Sequence, residues 1–255
     1  MERYRRDEKP SAALAAAVGL CLIILWQGIG MAMAKPYILP TPIQVLVRMW
    51  ELRGPLLTVH LPATMGVTAL GLIISIVLGL GLAIMMAEFP AWESALYPVV
   101  VSSQTIPTTA IAPLFVLWFG YSVWSKVLVT ILMTFFPIVI NVHNGLKSAK
   151  RDQIELLLTY GATRRQIFWK LKVWTALPHF VASIKMAVPL SLIGAAIAEW
   201  LGGQAGLGYF SKRMITQLDG AAVFAPIVLL SVVAIILVFF IGRLERRLIT
   251  WTQES

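Results

Sequence analysis

The residues of this sequence that could do chemistry are neutral polar groups set within apolar stretches. They are most concentrated at 102–120, where Gln104, Thr105 and Thr108 surround Pro107. Proline removes a helix hydrogen bond, and inside a bilayer such a break is tolerated where protein or a water-filled cavity satisfies the freed backbone groups. Amides and hydroxyls at this break can line a path for a solute, or they can hydrogen-bond one helix to another.

Two other apolar stretches combine a proline with a polar side chain. Asn141 follows Pro137, Ser191 follows Pro189, and Glu199 lies near the end of the second stretch. Helix packing through these same groups remains the alternative for each residue taken alone. We predict a translocation pathway lined by Gln104, Thr105, Thr108, Asn141, Ser191 and Glu199.

No arrangement typical of catalysis or metal binding occurs in the sequence. His60, His143 and His179 lie far apart, and none belongs to an H-E-x-x-H pattern. There is no G-x-x-x-x-G-K-[ST] phosphate loop, and the glycine-rich stretch 202–208 follows an apolar segment rather than a strand, which argues against a dinucleotide site. The single Cys21 cannot form a disulfide framework. We predict no catalytic residue, no metal and no cofactor, so any transport energy must come from another polypeptide.

The composition places these groups in a membrane protein. Of the 255 residues, 58% are hydrophobic and 13% are charged, whereas an ordinary domain has about 25% charged residues. A helix needs about 20 apolar residues to cross a bilayer. We also interpret 179–201 as a span, in spite of Lys185 and Glu199. The sequence therefore predicts an all-α integral membrane protein with about six transmembrane helices, the other five lying within 10–34, 61–87, 94–125, 127–146 and 220–242.

The distribution of basic residues indicates the orientation of the chain. With the N-terminus inside, cytoplasmic segments hold 14 Lys and Arg residues and external segments hold 6, so the positive-inside rule predicts that both termini are cytoplasmic. The same rule accounts for the net charge of +9 without a nucleic-acid partner. A cleavable signal peptide ending near Ala34 is the alternative for the first stretch, but its apolar segment is longer than the 7–15 residues typical of such peptides.

The longest polar segment, 147–178, is too patterned to be a simple linker. Gly161 lies between two apolar stripes of helical spacing, where a helix would end or bend, and it is the residue best suited there to a positive φ. Two short amphipathic helices joined at this glycine would form a projection for a partner, or a hairpin lying on the membrane. The stripes consist of Ile154, Leu157 and Leu158, and of Ile167, Leu171 and Trp174.

This segment resembles the signature of binding-protein-dependent ABC-transporter permeases. In the string IELLLTYGATRRQIFWKLKVWTALP, Glu155 is followed six residues later by Gly161, as in the E-A-A-x-x-x-G pattern of that family. Leu156 and Leu157 replace the two alanines, and Trp174 stands where the family usually has a proline. The departures leave the family resemblance intact and the local geometry of the loop open.

Three further strings, in the expected order, are similar to the branch that includes nitrate, sulfonate, taurine and thiamine-precursor permeases. They are LPTPIQVL at 39–46, QTIPTTAIAPLFVLWFG at 104–120 and AEWLGGQAGLGYF at 198–210. The string at 104–120 and the adjoining FGYSVWSK look closest to permeases for thiamine-pyrimidine precursors or related heterocycles. A sulfonate-type or nitrate-type anion is the alternative substrate.

The resemblance implies a permease in the inner membrane without catalytic activity of its own. Its implied partners are the lipid bilayer, a second permease copy forming a homodimer, two cytoplasmic ATPase subunits and an extracytoplasmic substrate-binding protein. It also implies that the loop inserts into a groove of the ATPase. The coupling residues carried over from the signature region are Glu155, Gly161, Ala162, Arg164 and Arg165.

The chain divides into three parts on this interpretation. Residues 1–60 hold a cytoplasmic tail, the first span and an external amphipathic segment at 43–50, whose apolar residues fall at i, i+3, i+4 and i+7. Residues 61–244 form the permease core with the coupling loop at 147–178, and 245–255 form a cytoplasmic tail. An ion-gradient-driven secondary carrier would instead need buried ionisable residues or inverted repeats, and a membrane enzyme would need a catalytic constellation.

Overall fold

The computed structural model describes residues 12–249, and every regular element within that range is a helix. The predicted all-α fold is therefore confirmed for this part of the chain. Both predicted tails fall partly outside it, because residues 1–11 and 250–255 are not among those described. The basic residues of the N-terminal tail that lie outside the described range are Arg3, Arg5, Arg6 and Lys9.

Ten helices follow one another through residues 12–249. Two of them contain a π turn, at Leu56–His60 in the third helix and at Phe168–Lys172 in the eighth. The helices are α1 (Ala12–Met33), α2 (Pro42–Glu51), α3 (Arg53–Glu88), α4 (Pro90–Ser103), α5 (Thr108–Phe119), α6 (Val123–Lys147), α7 (Arg151–Thr159), α8 (Arg164–Gly202), α9 (Leu207–Thr216) and α10 (Gly220–Leu248).

Five of these helices, α1, α3, α6, α8 and α10, are long and apolar enough to cross a bilayer. Helices α4 and α5 reach that length only together, and they meet at a bend of 95°. Pro107 immediately precedes α5, and a proline disfavours helical backbone at the residue before it. The prediction of about six spans is confirmed within the described residues, as five single helices and one bent pair.

The span at 179–201 is longer than predicted. Helix α8 begins at Arg164, so Pro178 and the preceding residues continue directly into the membrane segment. The prediction of a second short helix in the coupling loop is therefore wrong. Lys185 lowers the hydropathy of this segment in the sequence. In the structure its ammonium group forms an ion pair with Glu245 on α10, and this pairing compensates the charge of Lys185 within the helix.

Helices α3, α6 and α8 pack together as the centre of the fold. A Cβ atom on Gly71 would lie 2.6 Å from Thr130, and one on Gly79 would lie 2.8 Å from Ile138. Both distances are too short for a real contact, so glycine is required where α3 meets α6. Close packing through small residues is how membrane helices gain van der Waals contact without a hydrophobic driving force.

The amphipathic segment after the first span forms α2, as predicted. The Thr41 hydroxyl accepts a hydrogen bond from the Gln44 backbone N–H at 3.3 Å, and the Gln44 side chain accepts one from the Thr41 N–H at 2.9 Å. The Arg48 guanidinium contacts Asp219 at 2.8 Å, which ties α2 to the start of α10. Hydrogen bonds to Glu51 and Asp219 raise the pKa of Arg48. The predicted apolar stripe is exposed on the single chain; it consists of Ile43, Leu46, Val47 and Trp50.

Candidate translocation pathway and coupling loop

The bend between α4 and α5 holds the first group of predicted pathway residues. Gln104 and Thr105 are exposed on the single chain, and Thr108 is half-buried at the first turn of α5. The Thr105 hydroxyl donates to the Ser102 carbonyl at 2.7 Å, so it satisfies a backbone acceptor near the break at Pro107. Gln104 is thus left at the surface of the single chain, beside this break.

Asn141 and Ser191 are engaged within their own helices. The Asn141 amide donates to the Pro137 carbonyl at 2.8 Å, and the buried Ser191 hydroxyl donates to the Val188 carbonyl at 2.7 Å. Within residues 12–249, no hydrogen bond joins any two of the six predicted pathway residues. The hydrogen bonds of the six residues therefore do not join them into one network.

Glu199 lies at the far end of α8 from the coupling loop, and only 1% of its surface is exposed. Its carboxylate accepts a hydrogen bond from the Thr64 hydroxyl at 3.0 Å and another from the Gly208 N–H at 2.9 Å. The Leu207 N–H donates to the Thr64 hydroxyl oxygen at 2.8 Å, and the Gly206 N–H donates to His60 Nδ1 at 3.2 Å. Side chains of α3 and α8 thus take up the free N–H groups at the start of α9.

These contacts point to a positioning role for Glu199. A carboxylate is favoured at a helix N-terminus, where unsatisfied N–H groups carry partial positive charge. The neighbouring glycines are required here, because Gly206 has φ of +116° and a Cβ there would collide with the Glu199 carboxylate. At Gly208 a Cβ would collide with the Ala196 carbonyl. The sequence signal for this network is a glutamate followed by a glycine-rich run, in the string AEWLGGQAGLGYF at 198–210 that carries part of the family resemblance.

The coupling loop is built from two complementary helix ends. Helix α7 ends in an αL turn, where Gly161 has φ of +78°. The Gly161 N–H donates to the Leu158 carbonyl at 2.9 Å, and the Ala162 N–H donates to the Leu157 carbonyl at 3.0 Å. These two bonds are the Schellman pattern, which satisfies the last carbonyls of a helix. The positive φ expected at Gly161 is confirmed.

Helix α8 begins two residues later with a capping box. The Thr163 hydroxyl accepts from the Gln166 N–H at 3.3 Å, and the Gln166 side chain accepts from the Thr163 N–H at 2.8 Å. Arg164 and Arg165 occupy the first turn of α8 and are exposed, whereas Ala162 is half-buried. The backbone between α7 and α8 is therefore fixed by hydrogen bonds on both sides of the turn.

Glu155 forms an ion pair within its own helix. Its carboxylate contacts Arg151 at 2.8 Å, one helical turn earlier on α7, and both side chains are largely exposed. Such pairs contribute only a few tenths of a kcal/mol. Three large apolar or aromatic side chains of α7 and its C-cap are also exposed: Leu156, Leu158 and Tyr160.

Ion pairs hold both ends of the coupling loop to the turn between α3 and α4. At its start, Lys147 Nζ contacts the Glu93 carboxylate at 2.5 Å and 2.6 Å. At its end, Lys172 Nζ contacts Glu88 at 2.6 Å. The buried His143 lies beside the first pair, with Nε2 3.3 Å from Glu93. Sequence reasoning missed these pairs, because the partners are 54 and 84 residues apart along the chain.

Comparison with known proteins identifies the class of protein that this arrangement belongs to. The family of inner membrane components of binding-protein-dependent transport systems matches residues 75–250. The chain therefore belongs to that family, and it is the transmembrane permease subunit of an ABC importer. It is accordingly a multi-pass inner membrane protein, and the resemblance seen in the four sequence strings is confirmed.

Particular relatives cover nearly the whole chain. It is 50% identical over 236 residues to the formylaminopyrimidine transport permease protein ThiX of Halalkalibacterium halodurans, covering 92% of this chain and 94% of the relative. It is 34% identical over 249 residues to the riboflavin transport system permease protein RibX of Chloroflexus aurantiacus, covering 97% and 92%. A chain of the MetNI methionine ABC transporter, in an inward-facing conformation, matches the fold with a TM-score of 0.58 and 20% identity, covering 82% of this chain and 97% of that one.

Proposed function

We propose that this permease imports a small planar nitrogen heterocycle of the formylaminopyrimidine kind. The observation that carries the proposal is the 50% identity to ThiX over 92% of the chain. The solute in the name of RibX, riboflavin, also contains a flat ring system rich in nitrogen and carbonyl acceptors. Neutral amides and hydroxyls at 104–108 suit such a solute, whereas an inorganic anion would be better matched by a cation or a helix N-terminus.

The transport pathway in this proposal is completed by a second copy of the chain. Gln104 and Thr105 are exposed on one chain, and a homodimer would bring two such surfaces to a shared axis, since closed two-fold dimers are the commonest symmetric assemblies. An extracytoplasmic binding protein delivers the solute at the end of α8 that carries Glu199. Both chain termini and the coupling loop face the cytoplasm, in line with the basic residues of the loop.

The energy in this proposal comes from a separate ATPase that contacts α7 and the turn at Gly161. Movement of the loop is carried to the turn between α3 and α4 by the Lys147–Glu93 and Lys172–Glu88 ion pairs. That turn leads directly into α4, and α4 leads into the bend at 104–107. The two ion pairs therefore provide a route from the loop, through α4, to the first group of pathway residues.

The experiment is uptake of radiolabelled formylaminopyrimidine by vesicles that contain this permease, its ATPase and its binding protein. ATP enclosed in vesicles whose ATPase faces the lumen should drive accumulation of the solute. Excess unlabelled riboflavin or taurine should compete poorly. Uptake driven by an ion gradient without ATP would identify a secondary carrier instead. Within the same system, Gln104→Leu should lower uptake without reducing the yield of the complex, and Gln104→Asn should retain most of it.

A further inference from the structure

A cavity of about 380 Å³ lies at the end of α8 away from the coupling loop. Three aromatic side chains line it, and each comes from a different element: Tyr121 from the turn between α5 and α6, Trp200 from α8, and Tyr209 from α9. Its volume is at the small end of the range for small-molecule sites. The cavity therefore suits a solute of one or two rings.

Two of these elements, α8 and α9, are held together beside the cavity. Lys212 Nζ on α9 donates to the Trp200 carbonyl at 2.8 Å, and Glu199 holds the start of α9 through Gly208. The ring of Tyr209 lies 6.2 Å from that of His60, which α3 supplies. A binding site whose side chains are fixed before the ligand arrives loses less conformational entropy on binding.

The polar residues of the cavity define the ligand further. Gln204 and Arg213 add an amide and a guanidinium to the lining, while Lys212 is engaged with the backbone of α8. Among the described residues that line this cavity, none carries a carboxylate. The donors favour ring nitrogens and carbonyl oxygens as acceptors, and nothing in the lining would balance the charge of a cationic ligand.

A larger neighbouring cavity of about 440 Å³ lacks these properties. It shares Trp200 with the smaller cavity but lies against a different face of α9, the one that carries Leu207 and Ser211. Its lining includes neither Tyr121 nor Tyr209 and no amide or cationic side chain, and it consists mainly of aliphatic side chains of α8 and α10. With so few donors it could not orient a polar heterocycle. The combination of aromatic faces with hydrogen-bond donors is found in the smaller cavity.

We propose that the cavity lined by Tyr121, Trp200 and Tyr209 is a binding site for a planar nitrogen heteroaromatic solute before it crosses the membrane. This inference rests on the proposed function and assigns the residues that recognise the solute within the permease itself. The solute's ring stacks on the aromatic faces, because an offset or edge-to-face arrangement of rings is favourable. Its acceptor atoms face Gln204 and Arg213.

The test measures uptake of radiolabelled formylaminopyrimidine against solute concentration in vesicles with the complete transporter. Tyr121→Leu and Trp200→Leu should each raise KM about tenfold with kcat retained, since stacking of one base on an aromatic side chain is lost. Tyr121→Phe and Trp200→Phe should keep a KM close to that of the wild type, because they retain the ring. The matched control is Trp124→Leu, which removes an exposed aromatic side chain outside the cavity and should change nothing.

The outcomes separate this site from the proposed function. If the wild-type vesicles take up no formylaminopyrimidine, the proposed function is wrong, and the site with it. If they do, and the leucine variants match the wild type, the site alone is wrong. A third result would also overturn the site. If the leucine variants keep the solute KM but need a higher concentration of binding protein for half-maximal ATPase stimulation, the cavity is part of the docking surface for that protein.

Discussion

Replacement of Gly161 by valine should uncouple the permease from its ATPase while the membrane helices still fold. Gly161 has φ of +78°, and this backbone conformation is what allows the Ala162 N–H to reach the Leu157 carbonyl. A residue with a Cβ pays roughly 1–2 kcal/mol in the left-handed region, and a β-branched one is a genuine outlier there. The turn would therefore relax, and α7 would leave its present angle to α8.

The size of the effect follows from the space around the turn. Among the described residues, leaving out Gly161 and its two neighbours in sequence, no heavy atom lies within 4 Å of a Cβ built on Gly161. A side chain there meets no close contact within the described part of the chain, so the cost is conformational. A cost of 1–2 kcal/mol corresponds to a factor of roughly 5–30 in the population of the native turn. We expect a comparable loss in ATPase affinity, because the ATPase binds the native arrangement.

The assay is co-purification of the ATPase with each variant, followed by substrate-stimulated ATP hydrolysis in vesicles. Asparagine enters αL conformations more readily than other non-glycine residues, so Gly161→Asn is the matched control and should dock nearly as well as the wild type. Circular dichroism and thermal unfolding of the isolated permease should be unchanged in both variants. Wild-type docking and stimulation in Gly161→Val would refute the assignment of this turn to coupling.

Three further predictions concern other parts of the structure. Glu93→Lys should reduce the uptake per ATP hydrolysed, and combining it with Lys147→Glu should restore part of that ratio. Equal loss in the single and double variants would contradict a role for the pair. Glu199→Ala should lower the free energy of unfolding of the permease by about 1–3 kcal/mol, because buried N–H and hydroxyl donors lose their acceptor. Glu199→Gln should retain most of the stability. An unchanged melting temperature in the alanine variant would oppose the positioning role. In a background without the native cysteine, single cysteines at positions 150 and 212, replacing Lys150 and Lys212, should react with a membrane-impermeant reagent from opposite sides, and labelling of both from one side would overturn the topology.

The sequence predicts the fold class and most of the helices because the bilayer imposes a local requirement. About 20 apolar residues are needed for each span, and this need is visible in any window of the sequence. The bend at Pro107 is also visible in the sequence, because a proline disrupts the hydrogen bonds of its own helical turn. The αL turn at Gly161 is equally local, and it was predicted with the correct sign of φ.

The features that escaped prediction depend on residues that are distant in the sequence. Nothing near Lys172 shows that Glu88 will neutralise it, so the charged start of α8 was interpreted as loop. The sequence shows Glu199 only as a polar side chain near the end of an apolar stretch, and its hydrogen-bond partners are not visible there. Its partner Thr64 lies 135 residues away, and only the packing of α3 against α8 reveals that the carboxylate is taken up within the chain.

The π turn at Phe168–Lys172 has a consequence for the rotational phase of α8. A π turn accommodates one residue more than an α turn, and each residue of an α-helix turns the chain by about 100°. Without the extra residue, the start of α8 and the attached coupling turn would point in a direction rotated by that angle relative to the membrane segment. A single-residue deletion within 168–172 would thus redirect α7 as a whole while leaving every span its full length.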